Sequence, residues 1–189
     1  MLGDLAHQLL LAERAAQEGV QEARWGPLTA VMTVISFAWL KTPLYTVVAG
    51  IADFRARRLP VAAVAVLVSG LIGEAVSAQI KHVVGRRRPP LVDHDIVALV
   101  HLPRTSSFPS GHATTAFAAA TALALLCPRL RLPAFALAAL IAFSRVYLGV
   151  HFPSDVITGA ALGTLIGAAT AWLVTRLARA VPSRARGPG

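Results

Sequence analysis

The chain has 189 residues, of which 56% are hydrophobic and 14% charged, whereas soluble domains carry about 25% charged residues. This composition leaves too little polar surface for a water-facing globule, so it excludes a soluble fold and indicates one integral membrane domain. The formal net charge is +9. Because the basic residues are scattered between apolar runs, they argue against nucleic-acid binding and favour loop charges that orient membrane helices.

The amino-terminal segment differs from the rest of the chain. Residues 2–24 have the spacing of an amphipathic helix. Its apolar face consists of Leu2, Leu5, Leu9 and Ala12. The segment carries too many charges to span lipid, so we expect residues 1–25 to lie at the membrane interface or to pack on the bundle.

Apolar stretches of spanning length follow in chain order. They cover residues 28–51, 60–81, 110–127, 132–150 and 156–177. A hydrocarbon core of ~30 Å needs about 20 helical residues, so five crossings are predicted, or six if Lys41 and Pro43 divide the first stretch. The sequence thus predicts an all-α polytopic transmembrane bundle over residues 26–180, followed by a disordered Pro/Arg/Gly tail at 181–189.

The connections between these stretches carry a topology signal. Arginines concentrate in segments 55–58, 129–131 and 176–186, which fall on one side of a five-span bundle. Positive charge near span ends favours the cytoplasmic side, so segment 85–109 and the turn at His151 should face outward. Three consecutive arginines at 86–88 go against this rule and need another explanation.

Three short segments on the outward face carry side chains suited to phosphate chemistry. Lys81 and Arg88 are seven residues apart, two turns of a helix that continues that far. Ser110 and Gly111 stand at a predicted helix start, where free backbone N–H groups favour an anion. The planar fork of Arg145 matches paired phosphate oxygens.

Two histidines complete this group. His151 precedes Pro153, a residue favoured in the first turn of a helix, so Asp155 in that turn can reach back to fix the imidazole tautomer. One imidazole, His151, can attack phosphorus, and the other, His112, can protonate the leaving oxygen and then activate water. The three cations supply the charge neutralisation that a metal gives elsewhere, so neither a metal nor another cofactor is required.

Taken in order, the three segments resemble the signature of the type 2 phosphatidic acid phosphatase (PAP2) superfamily. The matching patterns are Lys-x6-Arg-Pro, Pro-Ser-Gly-His and Ser-Arg-x5-His-x3-Asp, over residues 81–155. The resemblance implies that His151 is the nucleophile, Asp155 its orienting carboxylate and His112 the acid and base. It implies phosphate contacts from Lys81, Arg88, Ser110, Gly111 and Arg145, with Ser144 adjacent to them.

The resemblance also implies a function for a small bacterial member: a cell-membrane phosphatase acting on a lipid phosphate or diphosphate through phosphohistidine. Polyprenyl diphosphate is the favoured substrate, with phosphatidylglycerol phosphate and phosphatidic acid as alternatives. Vanadium haloperoxidases share this pocket, but they are soluble. A non-enzymatic transporter or lipid-binding protein would explain the helices but not the two histidines and three cations. Membrane lipids are the expected partners, and the oligomeric state stays open.

Several further polar residues need an explanation. Glu74 lies deep in the second apolar stretch, on the same helix face as Lys81 and beneath it. We therefore expect Glu74 to face the bundle interior and to pair with Lys41. Two interpretations remain for Arg86 and Arg87: they contact a headgroup or diphosphate, or they are exposed to solvent. His94 lies between two aspartates, but adjacent loop residues make a poor metal chelate.

The topology is testable by labelling. On a Cys127→Ala background, a cysteine introduced at Thr105 should react with an impermeant thiol reagent in intact cells. A cysteine at Leu130 should react only after the membrane is opened, because the arginine-bearing segments direct that turn inward. The reverse pattern would place the motif residues in the cytoplasm.

Overall fold

A computed structural model of the chain describes residues 2–37, 41–56 and 59–180. Within these residues the fold is entirely helical, as predicted. The eight α-helices are α1 Leu2–Glu22, α2 Gly26–Ile35, α3 Thr42–Arg55, α4 Val61–Val84, α5 Pro89–Val92, α6 Gly111–Leu126, α7 Arg131–Tyr147 and α8 Pro153–Ala180, with one 3-10 turn at Pro128–Leu130. The predicted tail at 181–189 lies outside the described residues.

Helix α1 forms within the predicted amphipathic segment. Its polar face, and not the predicted apolar face, packs on the bundle. Glu13 and Gln17 are only 3% and 1% exposed, at the contact with α7, α8 and the turn between them. Leu9, on the predicted apolar face, is 55% exposed. Hydrogen bonds to the bundle, described below, explain why polar side chains are buried on this helix.

The first apolar stretch, predicted at 28–51, divides into two helices. The α2 helix has 10 residues and α3 has 14, and α3 begins with Pro43 in its first turn. Proline fits the first turn of a helix and disrupts its interior, so its position explains why the two are separate. Residues 38–40 lie outside the described part of the chain.

Helix α6 forms the centre of the bundle and packs against α4, α7 and α8. Its sequence is rich in alanine and threonine, and twelve of its 16 residues are buried. Facing it, α8 carries Gly159, Gly163 and Gly167 at a spacing of four residues, so all three lie on one helical face. Small residues let helix backbones approach closely. This close packing favours helix association in lipid, where the hydrophobic effect contributes little to association.

Three helical stretches of the described residues are long and apolar enough to cross a membrane: Val61–Val92, which contains α4, Pro128–Tyr147 and Pro153–Ala180. At 1.5 Å per residue, α6 is roughly 24 Å long, somewhat shorter than the hydrocarbon core. It is shielded by its neighbours, whereas Leu165 and Trp172 of α8 point outward. The chain is therefore a helical membrane protein, and the count of five or six crossings stays a prediction.

The α6–α8 contact generates a stability prediction. A Cβ added at Gly163 would strike the carbonyl oxygen of Thr114 and approach the Ala118 nitrogen at 3.0 Å, both of them rigid backbone atoms. Gly163→Ala should therefore destabilise the bundle by roughly 1–3 kcal/mol, measured by chemical unfolding in detergent. Gly19→Ala in α1 is the matched control, since nothing lies within 4 Å of that position. Equal stability of the two variants would refute the close contact.

Candidate active site

The motif residues meet at one end of the bundle, where α4 and α7 end and α6 and α8 begin. Helix α4 ends at Val84, and Gly85 follows at φ 62°, a left-handed conformation that favours glycine. Lys81 and Arg88 are therefore not two turns apart on one helix, as their spacing suggested. The turn at Gly85 brings Arg88 back, so that Lys81 and Arg88 both donate to the Ser106 carbonyl, at 2.7 and 3.3 Å.

Arg88 is buried and held by backbone carbonyls. Its Nε donates to the carbonyls of Pro103 and Thr105 at 3.1 and 3.0 Å, and one terminal nitrogen donates to the Val150 carbonyl at 2.8 Å. The same terminal nitrogen lies 3.3 Å from Nε2 of His151. Carbonyl oxygens fix the guanidinium without cancelling its charge, so Arg88 keeps a full positive charge beside the imidazole.

The contacts of His151 define its tautomer. Arginine has only donors, so Nε2 of His151 faces Arg88 with its lone pair. The proton of a neutral ring is then on Nδ1, which lies 3.4 Å from the carboxylate Oδ2 of Asp155, beyond an ordinary hydrogen bond. Burial, reinforced by Arg88, lowers the pKa of His151 from its usual value near 6.5 to about 4, although Asp155 opposes the shift. The ring is thus neutral at pH 7, with a lone pair on Nε2.

Asp155 is fully buried in the first turn of α8 and accepts several further hydrogen bonds. The Ser107 hydroxyl and the Phe152 amide donate to Oδ2, the latter at 2.9 Å, and Arg86 donates to Oδ1 at 2.6 Å. The Asp155 carbonyl also accepts from the Ser110 amide at 2.9 Å, which ties the start of α8 to the start of α6. These donors stabilise the ionised carboxylate beside His151.

The second histidine and the third motif cation share a partner that the sequence did not indicate. His112, in the first turn of α6, places Nε2 3.1 Å from the carbonyl of Ser36. A carbonyl only accepts, so this Nε2 carries a proton. Arg145 donates to the hydroxyl of the same Ser36, at the end of α2. Serine at a helix end is common, and no local signal distinguishes this one.

Two motif side chains have buried polar atoms that make no hydrogen bond within the described part of the chain and do not face a carboxylate: Oγ of Ser110 and Nε of Arg145. Such atoms are costly to bury unless a ligand satisfies them. The positive charges of Lys81, Arg88 and Arg145 are also close enough to repel one another. Unsatisfied donors and converging cations together indicate a site that binds an anion.

The smaller motif residues have distinct positions. Ser110 is the residue before α6, and Gly111 is the first residue of the helix, as the Ser-Gly pair predicted. A side chain at Gly111 would come within 3.3 Å of the Ser77 hydroxyl, so there is little room for one. The Ser144 hydroxyl instead donates to the Ile141 carbonyl of its own helix at 2.7 Å, which makes it structural.

Arg86 is the main site residue that sequence reasoning missed. Its guanidinium donates to Asp155, to the Ser154 hydroxyl at 2.7 Å and to Glu13 of α1 at 2.5 Å. It also stacks on the Phe152 ring, 4.3 Å from the ring centre. Neither predicted role, headgroup contact or solvation, describes these contacts. Arg86 links α1 to the buried carboxylate beside His151.

The α1 helix contributes a second contact to this region. Nε2 of Gln17 donates to the His151 carbonyl at 2.7 Å, and Glu13 also accepts from Ser154. Glu13 and Gln17 are four residues apart, so they lie on one helical face. No local pattern in the sequence distinguishes these two residues within the amphipathic segment, and only the tertiary contacts reveal them as neighbours of the turn at His151.

The expected pair of Lys41 and Glu74 is present, with Nζ and Oε2 3.4 Å apart. However, the Glu74 side chain is 61% exposed and lines an open cavity below Lys81. The prediction of a partner is confirmed, and the prediction of a buried position is wrong.

A helical membrane bundle that gathers two histidines, three cations and a buried aspartate at one end defines a membrane protein with a site suited to an anion. The chain belongs to the PAP2 superfamily, whose family model matches residues 61–179. This confirms the resemblance carried by the three motifs.

Similar proteins include several whose names describe lipid phosphatases. The chain is 43% identical over 102 residues to decaprenylphosphoryl-5-phosphoribose phosphatase of Mycobacterium tuberculosis, covering 51% of this chain and 52% of that protein. It is 30% identical over 147 residues to undecaprenyl-diphosphatase of Sulfolobus acidocaldarius, covering 77% and 61%. The chain thus spans about half the length of the first of these relatives.

The fold is also similar to solved structures. The crystal structure of a PAP2-type phosphatidylglycerolphosphate phosphatase from Bacillus subtilis superposes with a TM-score of 0.72 at 28% identity. The superposition covers 93% of this chain and 88% of that one. The likeness therefore includes nearly the whole described bundle and not the motif segments alone.

The contact between α1 and Arg86 generates a kinetic prediction. Glu13→Gln keeps the shape of the side chain but removes the charge that holds Arg86, so Asp155 and His151 should lose alignment. We expect kcat to fall about tenfold or more, with KM changed less than about twofold, because the phosphate-binding cations are untouched.

Glu18→Gln is the matched control, since Glu18 is an exposed residue of the same helix. The phosphate-release kinetics of both variants are compared with wild type after checking that they unfold at the same temperature. A Glu13→Gln effect confined to KM, or no effect at all, would contradict the positioning role.

Proposed function

We propose that the protein is an integral membrane phosphatase that hydrolyses a lipid phosphate or diphosphate, with polyprenyl diphosphate as the favoured substrate. The observation that carries the proposal is the contact of His151 Nε2 with Arg88 at 3.3 Å, among unsatisfied donors and mutually repelling cations. Such a site suits a phosphoryl group, because its charge grows on the oxygens that the cations contact.

In the first step, Nε2 of His151 attacks phosphorus and forms an N–P bond while the bond from phosphorus to the leaving oxygen breaks. For this step His112 is the imidazolium, with both ring nitrogens protonated. It transfers its Nε2 proton to that oxygen, exchanging the Ser36 carbonyl for the leaving group as acceptor, and becomes neutral. The His151 ring gains positive charge as the bond forms, and Asp155 stabilises it through Nδ1. Lys81, Arg88, Arg145, Ser110 and Gly111 contact the phosphoryl oxygens.

In the second step, water attacks the phosphohistidine and His112 takes its proton. The N–P bond breaks, inorganic phosphate leaves, and His151 returns to its neutral form with Nε2 unprotonated. The proton given to the leaving group is thus replaced by one from water, and the cycle closes without a metal or other cofactor. Helix α1, within the amino-terminal unit 1–25, supports the nucleophile turn of the phosphatase domain at 26–180.

The polyprenyl preference is supported by the names of the relatives from Mycobacterium tuberculosis and Sulfolobus acidocaldarius, both of which describe polyprenyl substrates. Phosphatidylglycerol phosphate is the second candidate, supported by the fold likeness that covers 93% of this chain. In either case the lipid tail would stay between helices while the headgroup enters the cationic site. The arginine-bearing segments favour an extracytoplasmic site on the cell membrane.

The proposal is tested with purified protein and a panel of lipid phosphates, measuring phosphate release in excess chelator. Wild type should remain active, because three cations neutralise the phosphoryl oxygens. His151→Ala should lose at least about three orders of magnitude in kcat, since it removes the attacking atom. His112→Ala should also be severe, but less so with a good leaving group, which needs less protonation.

His82→Ala is the matched control, because this exposed histidine follows Lys81 but makes no hydrogen bond within the described residues. Wild-type turnover by His151→Ala would overturn the nucleophile assignment. Activity that disappears in chelator and returns with a divalent ion would overturn the metal-independent mechanism. No turnover of any lipid phosphate by wild type would overturn the proposed function.

A further inference from the structure

An open cavity of about 740 Å³ lies beside the candidate active site. Lys81 and Arg88 of the motif form part of its wall, together with Arg86, Arg87 and Arg104. One carboxylate, Glu74, also lines it, and that carboxylate is paired with Lys41. The cavity therefore has a strong excess of positive charge and shares two cations with the site at His151.

Most of these cations are already committed to protein groups. Lys81 and Arg88 donate to backbone carbonyls, and Arg86 holds Asp155 and Glu13. Arg87 and Arg104 differ, because both are exposed and make no hydrogen bond or ion pair within the described part of the chain. Their guanidinium groups are free to bind an anion that enters the cavity.

Arg87 and Arg104 are close in the chain to residues that surround His151. Arg87 directly precedes Arg88, whose terminal nitrogen lies 3.3 Å from Nε2 of His151. Arg104 stands between Pro103 and Thr105, whose carbonyls both accept from Nε of Arg88. Arg87 and Arg104 therefore adjoin, in the chain, the cation that contacts His151 and two residues that hold this cation.

We infer that Arg87 and Arg104 form a second anion subsite, which binds a further phosphate group of the substrate headgroup next to the one being hydrolysed. The inference rests on the proposed function and narrows its substrate class to lipids with two phosphate groups. When His151 attacks the terminal phosphorus of a lipid diphosphate, the bond from that phosphorus to the bridging oxygen breaks and the lipid monophosphate leaves, so the anion in the cavity can be the phosphate of this leaving group. Two arginines then stabilise the charge that develops on it.

The test compares a polyprenyl diphosphate with the monophosphate of the same chain length. The double variant Arg87→Gln/Arg104→Gln should lose at least about tenfold in kcat/KM on the diphosphate, the order expected for two charge-assisted contacts. On the monophosphate the loss should stay below about twofold. The matched control is Arg129→Gln/Arg131→Gln, the same charge change at exposed positions on the opposite end of the bundle.

The arginines could instead bind the phosphate headgroups of surrounding lipids. The assay is therefore repeated in nanodiscs with and without anionic phospholipid. If the arginines bind bulk lipid, the losses are equal for the two substrates and appear only with anionic lipid. Equal losses on both substrates, or no loss on either, would overturn the second subsite.

A binding measurement tests the second subsite independently of catalysis. On a His151→Ala background, methylenediphosphonate should bind at least about tenfold more weakly to the Arg87→Gln/Arg104→Gln protein, while inorganic phosphate binds equally well to both. Unchanged binding of methylenediphosphonate would overturn the subsite even if the enzyme is active. Inactive wild type with the expected binding difference would overturn the proposed function and leave the subsite standing.

Discussion

The buried carboxylate of Asp155 is the group on which the arrangement of the site depends. It is 0% exposed, and an ionised carboxylate in such a place needs several donors. Those donors come from separate parts of the chain: Arg86 after α4, Ser107 before α6 and the Phe152 amide before α8. Satisfying one charge therefore draws three segments together around His151. Removing one partner of a buried ion pair costs about 3–5 kcal/mol, so the assembly is strongly specified.

The cations around His151 are of two kinds, which differ in the groups that hold them. Arg86 is neutralised by Asp155 and Glu13, and it serves to fix the carboxylate. Lys81 and Arg88 are instead held by carbonyl oxygens, which orient them without removing their charge. This difference explains how a site can be rigid and still attract an anion. It also explains the neutral imidazole of His151, because burial and the uncancelled charges both lower its pKa.

Much of the fold and of the motif geometry could be predicted from sequence, because both depend on local patterns. Apolar length predicted the helical membrane bundle, and the proline at 153 predicted the helix start that places Asp155 near His151. The misses depend on contacts distant in sequence. Sequence patterns indicated no partner for Glu13 or Gln17, because no periodicity reveals a buried partner more than seventy residues away. The return of Arg88 towards Lys81 was missed because helical spacing was applied beyond Gly85, where the helix has already ended.

The three consecutive arginines at 86–88 illustrate how tertiary structure separates identical neighbours. Arg88 contacts His151, Arg86 contacts the buried carboxylate and Arg87 lines the open cavity. A cluster of this kind would normally favour the cytoplasmic side of a membrane. Here two of its members have structural partners that hold them at this end of the bundle whatever the orientation. Their charge is therefore weak evidence about topology, and the arginines at the opposite end, at 55, 129 and 131, carry the orientation signal instead.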